Sequence, residues 1–259
     1  MVSMEVLGDM INVDMTGEAI LDDRADEVGI GVIVPFDLVL DREYWQWVPE
    51  TVSVHITRTP NRELPVGAEL AAAVSDAKVV AQAARDLAIA APEVTVYACT
   101  SGSFIEGIEG EARLREVMEQ AGAKQALTTS GALLQALEVM GARRIAVGTP
   151  YDSEMTNKLS EFLSEAGYET TSNAYLGLTG DIFRVSHKTV RDLAVATDRS
   201  EADAVFLSCT NLRTFGVLAY IEQELGKPVL SANQVTMWAA LSAVGLAGDW
   251  QRPRAAPQW

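Results

Sequence analysis

Val94-Thr95-Val96-Tyr97-Ala98-Cys99-Thr100-Ser101 and Ala204-Val205-Phe206-Leu207-Ser208-Cys209-Thr210-Asn211 are near-copies of one phrase, and between them they hold both cysteines of the chain. Each opens with a short apolar run, the mark of a strand buried on both faces in a parallel sheet. Each passes at once into small hydroxyl or amide residues that suit a strand-to-helix turn. A thiol placed there stands at the carboxyl end of a strand and beside a helix amino terminus. It faces the crevice in which open α/β sheets hold their ligands, and the local field favours thiolate over thiol. Two thiols in matched settings point to a reaction that uses a pair of equivalent groups on opposite sides of one small substrate.

The duplication extends beyond the cysteines. Leu127-Thr128-Thr129-Ser130 followed by Leu133-Leu134-Gln135-Ala136-Leu137 and Gly141 is echoed by Leu230-Ser231-Ala232-Asn233 followed by Met237-Trp238-Ala239-Ala240-Leu241 and Gly245. The cysteines lie 110 positions apart and the glycines 104, in the same order, so the chain reads as two related halves. Strand patterns at 29–35, 52–57, 94–100, 126–129, 144–149, 169–175, 204–209 and 228–232 alternate with helical patterns at 67–90, 110–121, 131–140, 153–166, 186–197, 215–225 and 234–244. Glycines at 122, 141, 167, 226 and 245 close helices. Alternation of this kind builds parallel sheets from βαβ units, and two halves give two sheets with a cleft between them. By symmetry, helix 234–244 packs beside the first strand. The expected organisation is a loosely ordered acidic leader over 1–27, lobe one from 28–125 plus 228–248, lobe two from 126–227, and a frayed tail over 249–259.

Composition narrows the function. The 20 basic and 36 acidic residues give a formal charge of −16, which argues against nucleic acid or an anionic membrane as partner. No apolar run is long enough for a membrane span, and the first residues lack the basic and apolar segments of a signal peptide, so the cytoplasm is the expected location. Only His55 and His187 accompany the two cysteines, with no ligand spacing among them, so no metal site is expected. For a random pair of cysteines the plain reading is two small buried hydrophobes. The shared context sets this pair apart.

The chain resembles the aspartate/glutamate racemase superfamily and, more narrowly, its branch of maleate cis–trans isomerases and arylmalonate decarboxylases. The likeness runs over about residues 28–247 and is carried by Gly31-Val32-Ile33-Val34-Pro35, Cys99-Thr100-Ser101-Gly102-Ser103-Phe104, Thr149-Pro150-Tyr151, Leu176-Gly177-Leu178-Thr179-Gly180 and Ser208-Cys209-Thr210. The resemblance implies two flavodoxin-like lobes related by a pseudo-twofold axis, an active site in the cleft between them and no cofactor. It implies that Cys99 and Cys209 flank the substrate, one from each lobe. The decarboxylases keep the second cysteine, carry glycine at the first, and use the following Thr-Ser pair, here Thr100 and Ser101, in an oxyanion pocket. Tyr151 matches a tyrosine that contacts a substrate carboxylate in both groups. The asparagine and serine that maleate isomerases carry after the first strand are missing. Pro35 is followed instead by Phe36-Asp37-Leu38, and a carboxylate at Asp37 would repel a dicarboxylate if it entered the pocket.

The chemistry follows from these residue types. Removing a proton beside a carboxylate places charge on the carboxylate oxygens, which preorganised donors around Thr100, Ser101, Tyr151, Thr210 and Asn211 can hold. A thiolate on one face takes the proton and a thiol on the other returns one; alternatively, a thiolate adds to a double bond, rotation follows, and elimination gives the other isomer. The expected function is therefore a cofactor-independent isomerase or racemase of a small carboxylic acid, or of its amide or hydantoin relative. The alternatives are a malonate-type decarboxylase with Cys209 as proton donor, and a non-catalytic ligand binder. A homodimer is the commonest assembly for such chains. Secondary expectations place His187 on the surface, His55 in packing or solvent, and Tyr44-Trp45-Gln46-Trp47 as a flap or core cap. Arg58 and Arg213 are the cations nearest strand ends, with Arg213 expected in a surface ion pair.

Overall fold

Two four-stranded parallel sheets, built in the same order, carry the molecule. The computed structural model describes residues 3–7, 10–14 and 27–247. The first pair of strands, β1 (Ser3–Leu7) and β2 (Met10–Asp14), is antiparallel and stands apart from both sheets. A paired ribbon thus occupies part of the stretch expected to be a loose leader; 15–26 and the expected tail lie outside the described residues.

Lobe one contains β3 (Val28–Val34), β4 (Val52–Arg58), β5 (Val94–Tyr97) and β6 (Ala126–Thr128), ordered β4-β3-β5-β6. Its helices are α1 (Asp41–Gln46), α2 (Ala68–Val74), α3 (Ala77–Ala88), α4 (Thr100–Phe104) and α5 (Gly107–Gln120). The crossing helix α6 (Thr129–Met140) leads to lobe two. That lobe has β7 (Arg144–Thr149), β8 (Glu169–Tyr175), β9 (Ala204–Leu207) and β10 (Val229–Ser231), ordered β10-β9-β7-β8, with helices α7 (Ser153–Glu165), α8 (His187–Thr197) and α9 (Leu218–Leu225). Helix α10 (Ala232–Ala243) returns to lobe one.

Within each lobe the strands lie second, first, third, fourth in chain order, so each cysteine follows the third strand of its own sheet. The central strands β5 and β9 are wholly buried, as their unbroken apolar runs require. Symmetry reaches hydrogen-bond detail. Thr128 and Ser231 cap the crossing helices α6 and α10, accepting from Gly131 N and Gln234 N. These helices pack on one another, with the hydroxyls of Thr129 and Thr236 2.8 Å apart at the lobe boundary.

Several elements depart from the sequence reading. The crossings were expected ahead of residues 126 and 228, but Ala126–Thr128 pairs with β5 and Val229–Ser231 with β9. These strands complete the sheets of the lobes they follow, and the helices after them cross. The reason is burial: each three-residue strand is fully buried and needs a ladder neighbour, which the repeat pattern does not identify. The helix expected over 67–90 breaks between α2 and α3, where Asp76 caps α3 by accepting from Lys78 N and Val79 N. Among the described residues no helix is long and apolar enough to cross a membrane.

Candidate active site

Both cysteines are free thiols, and they line one cleft between the lobes. The space between them is small and opens to solvent at its mouth. Every residue singled out from sequence, Cys99, Thr100, Ser101, Tyr151, Cys209, Thr210 and Asn211, borders this space. So does Asp37, together with an apolar wall of Leu38, Val66, Leu70, Val74 and Ile182. No lysine, arginine or histidine is among the described residues lining it.

Cys99 sits in extended backbone as the N-cap of α4, and its sulfur accepts from Gly102 N at 3.4 Å. The Ser101 hydroxyl lies 3.7 Å from that sulfur. The Tyr97 hydroxyl presses on the same point: a Cβ on Gly102 would come within 2.3 Å of it and 3.1 Å of the Cys99 sulfur. Only glycine leaves room there for the sulfur and the phenol together. The N–H groups of the first turn of α4 have no partner within the helix. The Thr100 hydroxyl is buried and has no hydrogen-bond partner among the described residues.

Cys209 is held differently. Its φ of +89° is one that L side chains rarely adopt, a strain that aims the sulfur from a tight turn. The Tyr151 hydroxyl and the Asn211 backbone N–H both reach it. Ser208 donates to the Tyr151 oxygen at 3.5 Å, and Phe104 meets the Tyr151 ring edge-on at 6.4 Å. The two turns are fixed by equivalent bonds: Ser130 Oγ of α6 donates to Thr100 O at 3.2 Å, and Asn233 Nδ2 of α10 donates to Thr210 O at 2.9 Å. Across the cleft, Thr210 Oγ1 donates to Ala98 O at 3.2 Å.

The electrostatics reverse one expectation. The turn was expected to favour thiolate, yet burial pushes Cys99 up and Cys209 up to about 12. The donors at each sulfur pull the other way without overcoming desolvation. The Asp37 charge raises both thiols further, and burial raises the Asp37 carboxyl itself. Burial thus favours the neutral thiol at both sulfurs.

Not every predicted residue is equally available. Asn211 is committed at both ends, its Nδ2 donating to Asp37 O at 3.0 Å and its Oδ1 accepting from Val39 N at 3.1 Å. It positions the loop after β3. Thr210 likewise spends its proton on Ala98 O. Arg58 is tied to Asp41 by two 2.8 Å bonds and donates to Leu38 O, and Arg213 is exposed and borders no part of the cleft. Tyr44 and Trp47 are fully buried, and Trp47 meets Phe215 edge-on at 4.7 Å, so α1 caps the core. Leu38, Val66, Leu70, Val74 and Ile182 were missed. An apolar face on a helix reads as core in sequence, and only the break after Val74 turns this one toward the cleft.

The model of one family, described as arylmalonate decarboxylase, matches residues 71–253. The chain belongs to the arylmalonate decarboxylase family. Family members of known activity include the arylmalonate decarboxylase of Bordetella bronchiseptica, 34% identical over 159 residues, which are 60% of this chain. The matched stretch spans 65% of that enzyme's length. The maleate isomerase of Geobacillus stearothermophilus is 30% identical over 169 residues, 62% of this chain and 67% of that protein. Among solved structures, a liganded double mutant of arylmalonate decarboxylase superposes with a TM-score of 0.78 at 29% identity, covering 84% of this chain and 93% of that one. The maleate cis–trans isomerase of Nocardia farcinica, with a covalently bound succinylcysteine intermediate, also gives 0.78, at 25% identity over 85% and 93%. The fold and the family are those that the cysteine phrases indicate.

Proposed function

We propose that this protein is a cofactor-independent isomerase or racemase of a small carboxylic acid, with Cys99 and Cys209 as its reacting pair. The observation that carries this reading is the convergence of two free thiols, one from each lobe, on a single small cleft. A carboxylate seated against Thr100, Ser101 and Tyr151 brings its α-carbon between the sulfurs. Charge developing on the carboxylate oxygens is held by the Thr100 hydroxyl and the first N–H groups of α4. The thiolate form of one sulfur, its proton released to bulk water through the open cleft before substrate enters, acts as base or nucleophile. The other, already protonated, supplies the proton on the opposite face.

A second reading rests on Cys209 alone. A thiol pushed up to about 12 is a standing proton donor, which suits protonation after loss of carbon dioxide from a malonate-type acid. Relatives of both activities exist in the family. Retention of cysteine at position 99 favours the two-thiol reaction. Free thiols suit the reducing cytoplasm, and a homodimer is the working assembly.

The test is proton exchange in deuterated water over a panel of small acids, comparing the parent protein with Cys99→Ala and Cys209→Ala. Isomerisation or exchange that stops in both variants is expected. Turnover surviving both substitutions refutes the thiol pair. Carbon dioxide release that persists in Cys99→Ala and stops in Cys209→Ala establishes the second reading. Absence of any turnover across the panel, with binding retained, marks a ligand-binding protein.

A further inference from the structure

Among the described residues the cleft is lined by one carboxylate and no cation. Asp37 lines it beside the two thiols, near enough for its charge to raise both. Its loop is pinned to the cleft by the Asn211 side chain, which bonds the backbone on both sides of Leu38. Arg58, the guanidinium whose charge reaches Asp37, is bonded to Asp41 and Leu38 O, and among the described residues Asp37 has no direct ion pair. Opposite this polar corner stands the apolar wall of Val66, Leu70 and Val74, two of them on α2. A substrate between the sulfurs therefore meets three surfaces: donors for one carboxylate, hydrocarbon for a side chain, and an anionic acceptor at Asp37.

From this arrangement we infer that the site takes carboxylic acids, or their cyclic amides, whose reacting carbon bears an N–H group directed at Asp37 and an aliphatic substituent directed at the Val66–Leu70–Val74 wall, and that it rejects acids with a second carboxylate in that place. The inference rests on the two-thiol reading of the site and names its substrate class. An ammonium or amide N–H satisfies the half-buried acceptor, whereas a second carboxylate meets like charge that Arg58, held by Asp41, offsets only in part. The same contact orients the α-hydrogen along the line joining the sulfurs, since carboxylate, nitrogen and side chain are then each assigned to one wall.

Four matched probes test this by calorimetric titration of the full chain: valine, 5-isopropylhydantoin, 2,3-dimethylbutanoate, in which methyl replaces the amino group, and isopropylmalonate, in which carboxylate replaces it. At least one nitrogen-bearing probe binds about tenfold tighter than either nitrogen-free acid, the scale of one charge-assisted hydrogen bond. Asp37→Asn abolishes that gap and strengthens isopropylmalonate. Isopropylmalonate binding the parent protein as well as both nitrogen-bearing probes overturns the inference, as does an order that Asp37→Asn leaves unchanged. The wild-type order decides the matter even if the variant does not fold. Because the readout is binding, failure of the thiol chemistry in Cys99→Ala and Cys209→Ala leaves this result standing, and the reverse holds as well.

Discussion

Cys209 combines a left-handed backbone with a thiol that is largely buried. Glycine pays no steric penalty at positive φ, so Cys209→Gly should be more stable than Cys209→Ala by about 1 kcal/mol in urea denaturation. The reverse order would mean that the turn relaxes when the sulfur is removed. Burial also sets the thiol's reactivity. With Cys209 at about 12, roughly one molecule in 10⁵ carries its thiolate at pH 7. Iodoacetamide should therefore modify the resting protein far more slowly than a free cysteine, with rates that climb as pH passes 9 and continue to rise toward 12. Mass spectrometry of the two cysteine peptides measures this. Rapid alkylation at pH 7 would show that the turn's donors, not desolvation, govern the sulfur.

At the scale of elements, the segment from Asp37 to α1 and the loop after Cys209 hold one another across the lobe boundary. Asn211 bonds the Asp37 and Val39 backbone. In return the buried Glu43 accepts from Thr214 Oγ1 at 2.7 Å and from Phe215 N at 3.1 Å. Burial raises the Glu43 carboxyl, and these donors only partly offset it. Glu43→Ala leaves buried donors unmet and should cost about 3 kcal/mol, while Glu43→Gln, which keeps an acceptor oxygen, should cost about 1. Denaturation measures the first effect, and faster amide exchange over residues 37–47 and 209–217 reports release of the clasp. Equal costs for the two variants would show that these bonds need the carboxylate's charge and not merely an acceptor oxygen. The apolar wall belongs to this scale too: α2 is the displaced first part of what reads in sequence as one helix, and the chain just ahead of it is tied to lobe two by Val66 N donating to Thr179 O at 2.9 Å.

Over the whole molecule, burial of acidic groups near the cleft couples stability to alkaline pH. Cys209 titrates at 9.0 in an open chain and at about 12 when folded. Its contribution is fully present below pH 9 and is lost as pH rises toward 12, on the order of 4 kcal/mol. Cys99, Tyr44, Tyr97 and Tyr151 are raised by burial as well and act with the same sign. The protein should lose stability steeply above pH 9 with release of more than one proton, and Cys209→Ala should flatten that slope. A flat profile from pH 8 to 11 would contradict the burial seen at the cleft.

Sequence by itself determined the α/β class, the two halves, the family and the seven residues that ring the cleft, because these rest on local signals. Apolar runs, strand-end turns and a repeated phrase survive without knowledge of what packs on what. Tertiary structure alone decided which sheet receives β6 and β10, since an isolated three-residue apolar strand carries no mark of its ladder partner. It also decided that Asn211 is a brace, that Asp37 enters the site and that α2 supplies the site's apolar wall. Above all it decided the protonation of the sulfurs. A strand-end turn predicts a field, but the cost of removing a charge from water depends on how completely the two lobes close around it, and that is set only when they meet.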